Sequence, residues 1–209
     1  MITKALDKNA QNALTPDAVL KDLMQGNERF VNRNMKPRGY QEQRKETVTG
    51  QFPKAVVLSC IDSRVPIEIV FDQGFGDVFV ARVAGNFENT DILGSLEFSC
   101  KVAGSKLVLI LGHESCGAIS AACDGVEMGN ITAMLANIKP AVELSKQQID
   151  GDASSSNKEF VAATVANNVK LTIDRIREKS SILKEMEDQG EIKIVGGVYA
   201  LSSGKVALL

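Results

Sequence analysis

The sequence has one histidine, His113, no tryptophan, and only four cysteines among 209 residues. Four cysteines are too few to staple a chain of this length with disulfides, so they read as reduced thiols or metal ligands. No stretch approaches the roughly 20 consecutive apolar residues that a membrane-spanning helix requires. Basic residues are not in excess: 24 Lys and Arg stand against 26 Asp and Glu, a formal net charge of −2, and they are scattered. Such a chain has no field to gather phosphates and no dense patch for a membrane surface, which excludes nucleic acid and membrane as partners. The opening MITKALDKNAQNALTP has no apolar secretory core, so the expected location is cytoplasmic, or periplasmic had a leader been removed. Internal repeats and low-complexity segments are absent as well.

What remains is an ordinary globular composition, 44% hydrophobic and 24% charged, sized for one domain. We expect a single domain over 1–209, with an N-terminal helical arm (1–50) and an α/β core (54–209). Thr15, Pro16 and Asp17 supply a hydroxyl cap, a proline for the first helical position and a carboxylate for the first turn. The helix they start has Val19, Leu23 and Phe30 on one side and is expected to run to about residue 34. The arm has little core of its own and should lie against another surface, a partner subunit being one choice. From Ala55 the runs AVVLSC, DVFVARV and KLVLILG read as fully buried strands of a parallel sheet. Helices are expected between them, over about 66–72 and 91–103, with Leu93, Leu96, Cys100 and Ala103 of the second on one face. Alternation of this kind implies βαβ units with right-handed crossovers. After His113, Ile131, Met134, Leu135, Ile138 and Val142 make one helical stripe, with Pro140 as a kink or restart. Val161, Val165, Val169, Ile173 and Ile176 make another, and the polar run GDASSSNKE separates them. EIKIVGGVYAL and KVALL flank Ser202, Ser203 and Gly204 as a hairpin. The expected fold is therefore α/β, a mainly parallel central sheet flanked by helices, with an N-terminal helical arm and a C-terminal hairpin strand.

Two segments carry chemistry. Ser59-Cys60-Ile61-Asp62-Ser63-Arg64 follows the first strand and Gly112-His113-Glu114-Ser115-Cys116-Gly117 follows the third. Both stand at carboxyl ends of parallel strands, where open α/β sheets bind ligands. Two thiolates and an imidazole suit zinc, and three protein ligands leave a fourth position for water. Cys116 also stands where a helix opens, whose amide dipoles favour a thiolate. The competing reading makes both cysteines small buried hydrophobes. The sole histidine beside one of them, and the strand-end position of both, favour the metal. A thiol redox protein fits poorly, because there is no Cys-x-x-Cys pair.

CxDSR followed about fifty residues later by HxxC, together with RVAGN, GHESCGA, NVKLTIDRIRE and the terminal IVGGVYALSSGKV, resembles the β-class carbonic anhydrases from about residue 14 to 209. The resemblance implies one zinc ion per chain held by Cys60, His113 and Cys116, and a catalytic pair formed by Asp62 and Arg64. It implies reversible hydration of carbon dioxide to bicarbonate and a proton, in a homodimer or tetramer. Two thiolates cancel the zinc charge, so Asp62 is needed to orient the nucleophile and Arg64 to keep Asp62 ionised. Two alternatives use the same residues: a zinc hydrolase of carbonyl sulfide or carbon disulfide, and a non-catalytic zinc- or anion-binding relative.

Weaker candidates carry two readings each. Gln73, in a turn before the second strand, either donates to bicarbonate or is a structural amide. Gly117, like Gly85, serves a tight turn near the metal and is a candidate for substrate binding. Arg82, with Tyr199, either belongs to an anion or interface site or makes an ordinary salt bridge. Cys100 and Cys123 read as packing. In some members of the resembled family the aspartate of CxDSR moves onto zinc, a state associated with a bicarbonate pocket of tryptophan, arginine and tyrosine. Arg82 and Tyr199 supply two of these, but Val57 stands in the tryptophan's place and cannot donate a hydrogen bond. The expectation is an Asp62 paired with Arg64.

Overall fold

The computed structural model describes residues 1–209. In chain order the elements are α1 (Lys8–Asn12), α2 (Pro16–Val31), α3 (Tyr40–Glu46), β1 (Ala55–Ser59), α4 (Ile67–Val70), β2 (Val78–Arg82), α5 (Thr90–Glu97) with a π-helical turn Phe98–Val102, β3 (Leu107–His113), α6 (Gly117–Cys123), α7 (Gly129–Leu135), α8 (Lys139–Lys146), α9 (Lys158–Lys179), α10 (Ser181–Asp188), β4 (Lys193–Tyr199) and β5 (Val206–Leu208). The strands form one sheet in the order β2-β1-β3-β4-β5. The first four are parallel, and β5 returns antiparallel to β4 as the expected hairpin strand.

Every residue of β1 and β3 is buried. Val56, Leu58, Val108 and Ile110 meet Ile92 and Leu96 of α5, Val169 and Ile173 of α9, and Leu183 of α10. The alternate residues Ala55, Val57, Leu107, Leu109 and Leu111 face the other side, against α2 and α4. A strand covered on both faces needs apolar residues at every position, which is why AVVLS and LVLIL are unbroken runs. Gly112 and Gly196 let α9 approach: a Cβ on Gly196 would stand 2.6 Å from a Val169 methyl, and one on Gly112 2.9 Å from Val165.

DVFVARV departs from the expectation of a fully buried strand. It becomes the edge strand β2, half-buried throughout, because only β1 pairs with it and its other backbone edge is open. The surface that the arm lies against is the chain's own sheet, on which α2 lays the fully buried Val19 and Leu23. The helix ends at Val31, short of residue 34, because Arg33 turns left-handed at φ 55°. Asn27 fastens it to the hairpin, donating to the Gly204 carbonyl and accepting from the Val206 N–H, both at 2.8 Å. Arg29 and Arg38 pair with the fully buried Asp72, which also accepts the Lys36 N–H at 3.2 Å. Burial pushes the Asp72 carboxyl up, but these donors outweigh it and hold it below the ordinary value.

In the second predicted helix, the π-helical turn shifts the register after Glu97. The buried face is Ile92, Leu96, Ser99 and Cys100, with Leu93 and Ala103 half-buried. Pro140 marks a restart, lying in the first turn of α8.

Candidate metal centre and active site

β1 and β3 are adjacent and in parallel register, so Cys60 and His113 arrive together at the carboxyl end of the sheet. Ser115, left-handed at φ 52°, turns the chain so that Cys116 caps the start of α6. The Cys60, His113 and Cys116 ligand atoms all lie within 4.8 Å of one another, and all three residues are buried. Phe87, Ile119, Leu135 and Ile138 pack around the two cysteines. The Glu114 carbonyl holds His113 Nδ1 at 2.8 Å, which places the proton on Nδ1 and leaves the Nε2 lone pair free. Nε2 is buried and has no protein partner. A buried polar nitrogen left in that state is costly.

The thiols make the same point electrostatically. Their sulfurs are 4.0 Å apart. Cys60 is pulled down to about 4, first by a hydrogen bond from Cys116 and against the effect of burial, with His113 and the Gly85 and Asp62 backbone N–H groups adding to it. Cys116 is pushed up, first by that same bond with Cys60, then by burial and the Cys60 charge. One anion forms readily and a second does not, unless a cation lies between the sulfurs. Two sulfurs and an imidazole nitrogen with a free lone pair are the donor set that zinc prefers, and the residues present fit that ion.

Asp62 stands beside this group, with Oδ2 3.9 Å from His113 Nε2. Arg64 grips it from two sides: Nε donates to Oδ1 at 2.9 Å, Nη2 to Oδ2 at 2.7 Å, and the Arg64 backbone N–H to Oδ1 at 2.9 Å. The side-chain bonds from Arg64 hold the Asp62 carboxyl down at about 2, outweighing the upward push of burial. Arg64 is half-exposed and also donates to the Ser115 carbonyl at 3.2 Å, which ties the two motifs together.

The weaker candidates fall in different places. The half-buried Arg82 is occupied by the CxDSR loop: it donates to the carbonyls of Cys60 at 2.8 Å, Val65 at 2.6 Å and Asp62 at 3.4 Å. Tyr199 is buried with Leu109, Leu111 and Leu23 in the core beneath α2, on a strand separated from β2 by β1 and β3. Gln73 lies before β2, toward the amino ends of the strands. Its amide donates to Phe71 at 2.7 Å and its Oε1 is buried without a partner, so the single chain does not bring it to the three donors. Gly117 does not serve a tight turn: it opens α6, and a Cβ there would meet nothing within 4 Å. Gly85 does, with φ +83° and Ile138 only 2.5 Å from a notional Cβ. Cys100 is core, its thiol pushed up to about 12 by burial, and Cys123 is half-buried beside Thr164 at 3.9 Å.

Sequence reasoning missed the support of His113. The Glu114 carboxylate accepts both the N–H and the hydroxyl of Ser202 at 3.0 Å, and its N–H donates to Tyr199 at 2.9 Å. This latch fixes the carbonyl that fixes the imidazole. Its two ends are far apart in sequence, and no local pattern announces them.

Comparison with known proteins agrees with this geometry. The sequence profile of the carbonic anhydrase family matches residues 55–206. Carbonic anhydrase 2 of Mycobacterium tuberculosis is 37% identical over 199 residues, 92% of each chain. The carbonic anhydrase of Mycolicibacterium smegmatis is 34% identical over 92% of this chain and 93% of its own. Among solved structures, a tetrameric β-carbonic anhydrase from Sordaria macrospora superposes with a TM-score of 0.71 at 25% identity, over 79% of this chain and 85% of that one. The β-carbonic anhydrase CafA of Aspergillus fumigatus gives a TM-score of 0.71 at 25% identity, over 92% and 89%. A five-stranded, mainly parallel sheet that ends in a buried Cys-His-Cys group, and a sequence matched over most of its length, make this chain an enzyme of the β-carbonic anhydrase family.

Proposed function

We propose that the chain catalyses the zinc-dependent, reversible hydration of carbon dioxide to bicarbonate and a proton. The observation that carries this is the buried His113 Nε2, without a partner and facing two sulfurs, beside a carboxylate that Arg64 keeps ionised. Cys60, His113 and Cys116 would hold the zinc, which when bound supplies the Lewis acidity that makes water nucleophilic near neutral pH. Asp62 accepts a hydrogen bond from the attacking nucleophile and so directs its lone pair at the carbon of carbon dioxide. Arg64 keeps Asp62 an acceptor by opposing its protonation. Arg82, through the loop carbonyls, keeps Cys60 and Asp62 in register with each other. The proton released passes to solvent buffer, since the chain has no second imidazole to carry it.

We infer as well that the chain works as a homo-oligomer. A relative of known structure is tetrameric, and here β2 offers an open edge beside a cleft of about 770 Å³ lined by Phe79, Ala81, Ile92 and the half-exposed Phe98. Light scattering on the purified protein tests this, and a monomer at micromolar concentration would refute it.

Zinc quantification coupled to stopped-flow hydration tests the main reading. One zinc per chain is expected, with Cys60→Ala, His113→Ala and Cys116→Ala each losing metal and turnover. Full zinc occupancy in any of the three removes that residue from the site. Zinc without hydration would favour the non-catalytic alternative, and faster turnover of carbonyl sulfide or carbon disulfide would reassign the substrate.

A further inference from the structure

Asn168, midway along α9, is 1% exposed. Its Nδ2 donates to the Gly85 carbonyl at 2.8 Å, and its Oδ1 has no partner at all. Around it α9 buries Val165, Val169 and Ile173, and the buried Thr164 and Thr172 one turn to either side each have a hydrogen-bond partner for their hydroxyl. An amide with an unpaired buried oxygen is a poor choice there on packing grounds. The residue it grips is not an ordinary one. Gly85 follows β2 in a turn closed by the Asn86 N–H on the Val83 carbonyl at 2.9 Å, and its own N–H points at Cys60 Sγ at 3.4 Å.

We propose that Asn168 is a positioning residue for the metal centre. By holding the Gly85 carbonyl it fixes the Gly85 N–H on the Cys60 sulfur, and so sets how much electron density that thiolate gives to the metal. A hydrogen bond to a ligand sulfur withdraws density from it and leaves the metal the stronger Lewis acid. The inference rests on the reading of Cys60 as a zinc ligand. It adds α9, which contributes no ligand, to the parts of the chain that tune the centre.

The test uses the cobalt(II)-substituted protein, whose sulfur-to-metal charge-transfer band reports directly on the thiolates, together with zinc release to a chelator. Asn168→Ala removes the donor and leaves a small cavity, and Asn168→Leu removes it while overfilling the site with a side chain of the same branching, so a change shared by both variants comes from the donor and not from packing. Both are expected to move the band to lower energy, because the Cys60 sulfur then keeps more electron density, and to speed zinc release about tenfold, because the turn facing Cys60 is no longer pinned, as loss of outer-shell support commonly does. Asn167→Ala is the control: Asn167 is also buried but bonds Ser145 Oγ at 2.9 Å and Gln148 Oε1 at 2.8 Å, away from the metal. It should lower the melting temperature and leave the band in place. A wild-type band in Asn168→Leu, or an equal shift in Asn167→Ala, would overturn the proposal. A wild-type chain that binds neither cobalt nor zinc would instead overturn the metal reading on which it rests.

Discussion

Replacing Arg82 by methionine keeps most of the aliphatic stem and removes the guanidinium that bridges three carbonyls of the CxDSR loop. Hydrogen bonds to a charged donor contribute about 1.5–3 kcal/mol each when their partners are left unpaired. The bonds to Cys60 and Val65, at 2.8 and 2.6 Å, count in full, while the one to Asp62, at 3.4 Å, adds little. Arg82 is half-buried, so water repairs part of the loss, and the lower end of the range gives about 3 kcal/mol for the two short bonds. In a chain of this size that is a fall of about 6–12 °C in melting temperature. The loop carries both Cys60 and Asp62, and displacement of reacting groups by about 1 Å can cost on the order of a hundredfold in rate. We therefore expect kcat/KM for hydration to fall about 10- to 100-fold. Arg82→Lys should land between, because an ammonium has no planar fork to span the carbonyls. The measurement is a thermal melt and a stopped-flow assay at one protomer concentration, since oligomers melt in a concentration-dependent way, with bicarbonate inhibition recorded alongside. An Arg82→Met protein melting within about 2 °C of wild type, with its turnover intact, would refute the clamp. If that protein had also lost sensitivity to bicarbonate, Arg82 would be the anion-site residue that the sequence offered as the alternative.

Three further outcomes follow from the same geometry. Asp62→Asn should retain zinc, since shape is preserved, and lose at least about tenfold in hydration; full turnover with zinc retained would remove Asp62 from the orienting role. Asp72→Asn should cost about 3–5 kcal/mol near neutral pH by leaving Arg38 buried without its counter-ion. Because the folded Asp72 pKa is depressed, that difference is complete above the unfolded value of about 4 and disappears as pH falls through the lower folded value; denaturation curves showing the same gap well below that range would contradict it. Finally, turnover should rise with buffer concentration before it saturates, because His113 is the only histidine, and a rate indifferent to buffer under proton-transfer-limited conditions would point to a carboxylate or thiol relay.

The α/β sheet and the cluster of Cys60, His113 and Cys116 were legible in the sequence for different reasons. Strands β1 and β3 are covered on both faces, so each of their residues carries the same apolar signal. Cys60 and Cys116 follow those strands closely and His113 ends the second of them, so recognising the strands also located the cluster. β2 carries a similar run, yet its exposure depends on its place in the strand order, which composition does not encode. The arm is a similar case: Val19 and Leu23 mark an apolar side that needs a surface, but the surface they cover is assembled from β1, β3 and α4, and it exists only once the chain has folded.

The polar supports of the site were not legible, and their physical character explains why. A hydrophobic face is collective: several residues at a fixed period contribute to it, and loss of one leaves the pattern visible. A hydrogen bond that positions a ligand is a single pair, and here the pairs join Glu114 to Ser202, Gly85 to Asn168 and Cys60 to Arg82. Each of these partners is a common residue in an unremarkable local context. The C-terminal hairpin fixes the carbonyl that orients His113, α9 fixes the peptide that faces Cys60, and the edge strand fixes the loop that carries Asp62. The proposed chemistry therefore depends on parts of the chain outside the Cys-His-Cys cluster, and substitutions there should degrade rate and metal retention while that motif remains intact. This is also why the motif alone identifies the centre better than it predicts its activity.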